Sequence, residues 1–245
     1  MSRRPDRRKA NQLRPLSYSW DVAPNSTASL LIKCGQTQVI CAASVEEKVP
    51  RWKEAQGLSG GWVTAEYSML PYSTVGRKPR DISRGKIDGR SQEIQRLIGR
   101  TLRAVVDLEA LGSRTIWIDC DVLAADGGTR TTAITGSYLV LKAAIERLKQ
   151  EGNVARSPLR AAVGATSVGV YQDKPILDLC YLEDRDASVD MNVVMTDKGE
   201  FVEIGATGEE ATFSPDQLKE LLALAETGIK KLFSFQRKAW SQRPK

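Results

Sequence analysis

The chain has 245 residues, 41% of them hydrophobic, and a formal net charge of +6 without a single histidine. That length supports a large core in one domain or two tightly joined lobes, and no run approaches the ~18 apolar residues of a membrane span. The missing imidazole excludes His-based triads and His-ligated zinc, so any chemistry must rest on Asp/Glu, Arg/Lys, hydroxyls or a hard metal ion.

The first 18 residues carry Arg3, Arg4, Arg7, Arg8, Lys9 and Arg14 against Asp6, a net of +5. No apolar stretch follows them, so the segment does not read as a secretory signal and the expected location is the cytoplasm. Such a segment is either a solvated basic tail or an arm that can hold a nucleic-acid backbone. Residues 27–34 and 37–45 then read as a hairpin turning at Gly35-Gln36, with a further strand at 61–69. Cys34, Cys41, Cys120 and Cys180 lie far apart in apolar text, fit no zinc-knuckle spacing and read as buried reduced thiols.

From Pro71 to Gly89 the text is "PYSTVGRKPRDISRGKIDG", rich in proline, glycine and arginine and without periodicity. It predicts a long basic loop, and long loops within compact domains usually carry function. Ser91 is expected to open a helix with the apolar stripe Ile94, Leu97, Thr101, Val105 and Leu108, widened by Ile98. Across 77–103 nine basic residues stand against Asp81, Asp88 and Glu93, a net of +6, leaving the chain outside the two basic segments at −5. Charge concentrated in this way is the footprint of a polyanion partner, although a solvated charged loop would have the same composition.

Residues 115–123 read as a strand with Ile116, Ile118, Cys120 and Val122 on one face and Asp119 and Asp121 on the other. Next comes "DGGTRTTAITGS", residues 126–137, at the mouth of a second long helix with the stripe Ile134, Tyr138, Leu141, Ile145 and Leu148. A helix start presents unpaired backbone N–H groups and positive partial charge. Gly127 and Gly128 let backbone approach a ligand, Thr129, Thr131 and Thr132 add hydroxyls, and Arg130 adds a planar donor fork. The combination suits phosphate. It is neither a Walker A loop nor a dinucleotide fingerprint, and the plainer alternative is a Gly-Gly turn capped by Thr129 with Arg130 on the surface. Arg90 stands at the start of the other long helix and would reach the same anion if the two helices pack side by side.

The second half predicts hairpins 161–170/175–181 around "QDK" and 189–196/200–205 around "DKG". A last helix starts at Ser214, with Pro215 at its first position and Gln217 in the reciprocal capping place. Residues 236–245 are expected to form a loose tail. Within "LEDRDASVDMNVVM" (182–195), period two puts Asp190, Asn192 and Val194 on one strand face, with Asp184 upstream at a loop end. Two carboxylates beside an anion site suit Mg²⁺ or Mn²⁺ through oxygen ligands; the alternative is an Asp-rich turn satisfying its own amides. The overall class is α+β, two sheet-plus-helix lobes at about 10–155 and 156–235 of one unit spanning 1–235.

The segments "ASVEEKVPRW", "GWVTAEYSMLP", "GRSQEIQRLIGRTLRAVVD", "DGGTRTTAITGS" and "LEDRDASVDMNVVMTDKGEFVEI" together closely resemble the bacterial ribonuclease PH family, from about Arg7 to Leu232. The resemblance implies two S5-like βαβα lobes and a homohexameric ring, a trimer of dimers. It implies a phosphate-dependent tRNA nucleotidyltransferase that trims tRNA precursors and other RNA 3′ ends, including rRNA, releasing nucleoside diphosphates reversibly. On the matching positions it implies that Arg90, Thr129 and Arg130 hold inorganic phosphate, and that Asp184 and Asp190 hold the metal, one of them assisting protonation of the leaving group. Arg77, Arg80 and Arg84 are implied in RNA or ring contacts. This chain departs from the family pattern at Tyr72, where arginine is common, at Thr74-Val75-Gly76, where histidine is usual, at Cys180, and through "ATGEEATF" at 206–213. Two other readings stay open: a hydrolytic metal nuclease using water, and a catalytically silent RNA-binding ring subunit.

Overall fold

The computed structural model describes residues 4–209 and 211–244; Arg3 of the basic segment, Glu210 of the 206–213 departure and Lys245 of the expected tail lie outside them. In chain order the first half contains β1 (Leu16–Trp20), β2 (Ala28–Cys34), β3 (Thr37–Glu46), α1 (Arg51–Ala55), β4 (Trp62–Met69), α2 (Asp81–Arg84), α3 (Gly89–Ala104), α4 (Leu108–Leu111), β5 (Thr115–Ala124) and α5 (Thr129–Gln150). The second half contains β6 (Val163–Tyr171), β7 (Lys174–Leu177), α6 (Tyr181–Asp186), β8 (Val189–Thr196), β9 (Phe201–Gly208) and α7 (Pro215–Ser241).

The strands form a five-stranded sheet, β1-β2-β3-β5-β4, and a four-stranded sheet, β7-β6-β8-β9. All neighbours are antiparallel except β4 and β5, and the parallel pair requires the crossover that α3 supplies. Alternation along β2, β3 and β5 drives Leu30, Ile32, Val39, Cys41, Ile118 and Val122 to complete burial. Helix α5 lies on that face and also packs on β6 of the second sheet. It is therefore buried almost all round, including Thr132, Leu139 and Val140, and the single stripe expected from Ile134 to Leu148 understates it.

Several boundaries move. Asp88 caps α3 by accepting a hydrogen bond from Ser91 N at 2.7 Å, so this helix starts at Gly89, not Ser91. It ends at Ala104, which leaves Val105 beyond it and Leu108 on α4. The strand expected at 175–181 stops at Leu177 because Asp178 takes φ 57° and Tyr181 begins α6. β1 goes unpredicted because its five residues are only half-buried on alternate positions. The loose tail expected from 236 is corrected: α7 continues to Ser241. Gln236 is buried there and donates from Nε2 to the carbonyls of Thr135 (3.2 Å) and Val163 (2.9 Å), while Trp20 Nε1 donates to Ala239 O at 3.1 Å. The cap of α7 agrees with expectation, Ser214 and Gln217 exchanging hydrogen bonds ahead of Pro215. All four cysteines are buried free thiols.

The segment between β4 and α3 is irregular apart from the single turn of α2, and Lys78 pairs with Asp88 across its base. Arg77, Arg80 and Arg84 are exposed, and none makes a side-chain hydrogen bond or ion pair among the described residues. No helix among the described residues is long and apolar enough to cross a membrane.

Candidate active site

Four elements deliver one predicted residue each to a single cleft of about 990 Å³. Arg90 comes from the first turn of α3, Arg130 from the first turn of α5, Asp184 from α6 and Asp190 from β8. The juxtaposition follows from packing. Helices α3 and α5 lie against one another, so their starts approach from the first sheet, while β8 and α6 present the carboxylates from the second. A smaller hollow of about 310 Å³ is lined by Gly127, Gly128, Thr129 and Tyr181 and shares Arg90 and Asp184, so the two spaces meet at that pair. Asp184 lies on a short helix, a correction to the loop end expected for it.

The mouth of α5 differs from a simple capped turn. Its N-cap is Gly128 at φ 61°, which offers no side-chain oxygen, so the first-turn amides lack a capping partner. Thr129 is the first helical residue and not a cap; its Oγ1 accepts from the Tyr67 hydroxyl at 2.9 Å. Gly127, at φ 70°, is needed for a reason other than ligand approach: a Cβ there would stand 2.6 Å from Leu179 O and 2.8 Å from Tyr181 N. The glycine loop thus lies directly on the backbone that leads into α6. Asp126 strengthens that contact by accepting from Tyr181 N at 3.1 Å.

The electrostatics are divided between two ends. Arg90 is exposed to the cleft and makes no side-chain hydrogen bond or ion pair among the described residues, whereas Arg130 Nη1 donates to Glu93 Oε1 at 2.9 Å. Two guanidinium groups beside a helix start have the charge and donor geometry to hold a tetrahedral anion. Opposite them, burial raises the pKa of Asp184 despite the nearby charges of Arg90 and Arg130. Burial, and after it the Asp184 charge, pushes Asp190 up to about 6. Asp190 Oδ1 is buried with no hydrogen-bond partner, while Oδ2 accepts from Asn192 Nδ2 at 3.3 Å. An orphaned carboxylate oxygen facing a second carboxylate fits a hard cation whose charge would relieve both the burial and the repulsion. Among the described residues no three Asp, Glu, Cys or His side chains gather to hold a metal, so a cation bound at these two carboxylates would need water or substrate oxygens for its other positions.

Three arginines of the basic amino-terminal segment do something other than form a polyanion surface. Arg4 and Arg14 are 7% and 3% exposed and Arg8 is largely covered. Arg4 forms a two-pronged pair with Glu183 at 2.6 and 2.8 Å, and Arg14 does the same with Asp178 at 2.7 and 3.1 Å. These three arginines are structural, and the expectation that the arm holds RNA is corrected for them. Sequence reasoning also missed Tyr67 and Glu93. Tyr67 looks like any aromatic on the inner face of a strand, and Glu93 like any surface carboxylate near the start of a helix.

Two family models match consecutive parts of the chain: "3′ exoribonuclease family, domain 1" over residues 12–145, and "domain 2" over residues 161–228. Ribonuclease PH of Halalkalibacterium halodurans is 53% identical over 237 residues, covering 96% of this chain and 91% of that protein. The crystal structure of rice Rrp46 superposes with a TM-score of 0.78 at 19% identity, covering 98% of this chain and all of that one. The Archaeoglobus fulgidus exosome with RNA bound to the active site gives 0.77 at 18% identity, covering 95% of this chain and 92% of that one. At these identities the two solved structures speak for the fold alone.

Proposed function

This chain belongs to the 3′ exoribonuclease family, and from that premise we propose that the Arg90–Arg130–Asp184–Asp190 cleft is where it cleaves RNA. The activity is phosphorolytic 3′-to-5′ exoribonuclease action, a phosphate-dependent nucleotidyl transfer at RNA 3′ ends. The observation that carries the assignment to this cleft is the convergence of two arginines and two aspartates from α3, α5, α6 and β8 on one open space.

The reaction follows from the layout. Arg90, Arg130, the Thr129 hydroxyl and the uncapped first turn of α5 hold inorganic phosphate and lower its repulsion by the RNA phosphodiester. One phosphate oxygen bonds to the phosphorus of the terminal nucleotide. The bond from that phosphorus to the penultimate 3′ oxygen breaks, giving a nucleoside diphosphate and RNA one residue shorter. Because both phosphoryl groups are fixed in one cleft, positioning and charge stabilisation supply most of the acceleration. Asp184 and Asp190 would hold Mg²⁺ or Mn²⁺, which when bound would offset the charge gathered on the phosphoryl oxygens. Glu93 keeps the Arg130 fork oriented before phosphate arrives, and Tyr67 fixes the Thr129 hydroxyl.

The substrates that suit this reading best are tRNA precursors with 3′ extensions, handled in the cytoplasm by a homohexamer built as a trimer of dimers. The exposed arginines 77, 80 and 84 support it, as three unpaired cations on one irregular segment can contact RNA or a neighbouring subunit. The separate sheets support dividing the chain near residue 155 into two lobes. The test is product analysis on a 3′-extended tRNA. Nucleoside diphosphates should accumulate only when phosphate is present, and monophosphates formed without phosphate would overturn the reading.

A further inference from the structure

Next to the segments that carry Asp184 and Arg130 sits a buried ionic cluster that the chemistry above does not use. Asp178 and Glu183 are 3% and 0% exposed; Asp178 lies just ahead of α6, and Glu183 lies on α6 next to Asp184. The amino-terminal segment covers this stretch and inserts three arginines into it. Arg14 is the most connected. Its backbone N and its Nε donate to Asp178 Oδ2 at 2.7 and 3.1 Å, and Nη2 donates to Asp178 Oδ1 at 2.7 Å. The far edge of the same guanidinium donates to the carbonyls of Asp126 and Gly127, in the glycine loop at the mouth of α5. Arg8 reaches Asp178 O and Glu183, and Arg4 reaches Asp178 O and Glu183. A second anchor holds the glycine loop from the other side: the buried Thr37 hydroxyl donates to Gly127 O at 2.7 Å and accepts from Asp126 N at 2.9 Å.

A glycine loop with two consecutive positive φ values, at Gly127 and Gly128, carries a large conformational entropy in isolation. Its carbonyls need fixed partners if the amides following it are to meet an anion in one geometry. We propose that Arg14 is a positioning residue: by bridging Asp178 to the carbonyls of Asp126 and Gly127, it locks the glycine loop of the phosphate site to the turn that carries Asp184. The planar fork is what the task requires, because one rigid group must satisfy a carboxylate on one edge and two carbonyls on another. A lysine has the charge and lacks the second edge. The inference rests on the assignment of the cleft as the phosphate site made above.

The expected consequence is a split between substrate affinity and turnover. In Arg14→Lys the apparent KM for inorganic phosphate should rise at least tenfold, while kcat at saturating phosphate falls less than about threefold. The stabilisation of the protein against thermal unfolding by added phosphate should shrink in parallel. Thr37→Val keeps the shape of the side chain and leaves the ionic cluster intact, yet loses both loop hydrogen bonds; it should raise the phosphate KM in the same direction by a smaller factor. Arg130→Ala serves as the reference for the site itself. If Arg130→Ala is inactive toward phosphate but folded Arg14→Lys and Thr37→Val keep the wild-type phosphate KM, the positioning role is wrong and the cluster only stabilises the fold. If Arg130→Ala keeps normal phosphate dependence, it is the site assignment that fails. Should Arg14→Lys not fold, Arg14→Gln takes its place, since its amide can still donate to Asp178 but cannot span to the loop carbonyls; an unchanged phosphate KM in folded Arg14→Gln overturns the positioning role.

Discussion

At the scale of single residues, Arg130 and Arg90 differ in a way that tests the site. Arg130 is braced by Glu93 and Arg90 has no bracing group among the described residues, yet both face one cleft and neither lies in the core. Arg130→Ala and Arg90→Ala should each leave a folded protein with phosphorolysis reduced well beyond tenfold, since one charge-assisted donor in such a site is worth roughly 2.7–4 kcal/mol. Near-normal turnover by purified Arg130→Ala would remove it from the mechanism. On the carboxylate side, Asp184→Asn and Asp190→Asn should weaken the dependence on divalent ions and slow both directions, while RNA binding without metal changes little. An unchanged magnesium titration for Asp190→Asn would leave that residue as a strand-face carboxylate only.

At the scale of elements, the irregular segment between β4 and α3 carries a different prediction. Changing Arg77, Arg80 and Arg84 together to alanine should weaken binding of structured tRNA more than cleavage of a short oligonucleotide. The slope of log affinity against log salt should flatten by roughly one unit per phosphate contact removed. Light scattering then separates the causes: particles of wild-type mass with weak tRNA binding point to RNA contact, and smaller particles point to an interface. If mass, affinity and slope are all unchanged, the segment is solvated charge. Most of the long elements were legible in the sequence because period two and period 3.6 survive wherever one face is buried, as along β5 and α3. What escaped had no such period. β1 is a half-buried edge strand, α6 is six residues long, and the end of α7 buries glutamine instead of an aliphatic side chain. The four cleft residues were legible because their motifs are unusual. The buried arginines were misread because charge in sequence carries no sign of its partner, and theirs lie more than 160 positions away.

At the scale of the whole molecule, the two sheets are tied together by α5 between them and by exchange at the ends. The amino-terminal segment reaches the turn before α6, and the last turns of α7 reach Trp20. The ionic tie makes stability depend on pH in a defined direction. Burial alone would raise the pKa of Asp178, but the charge and hydrogen bonds of Arg14, with Arg8, outweigh it and hold the carboxyl below its ordinary value. Its contribution is therefore complete above the unfolded value of about 4 and is lost as pH falls through the lower folded value. Asp178→Asn strands buried arginines, so it should cost about 3–5 kcal/mol at pH 7. Urea unfolding at pH 7 and pH 3 should show that gap narrowing in acid; a gap of constant size would mean that Asp178 acts by shape and not by charge.

The Arg4–Glu183 pair spans 179 positions of chain. During synthesis the arginines at the beginning leave the ribosome long before their carboxylates exist, and the first sheet with α5 can form while that segment still hangs free. During this interval the glycine loop has the Thr37 hydroxyl as an anchor but not the Arg14 bridge to Asp178. The cleft's arginines and aspartates would then acquire their common geometry in one late step, when the turn at 178–183 closes over the waiting arginines. Contacts of such separation form slowly relative to local ones. A chain assembled in that order would gain phosphate-dependent activity only after its second half had joined the first.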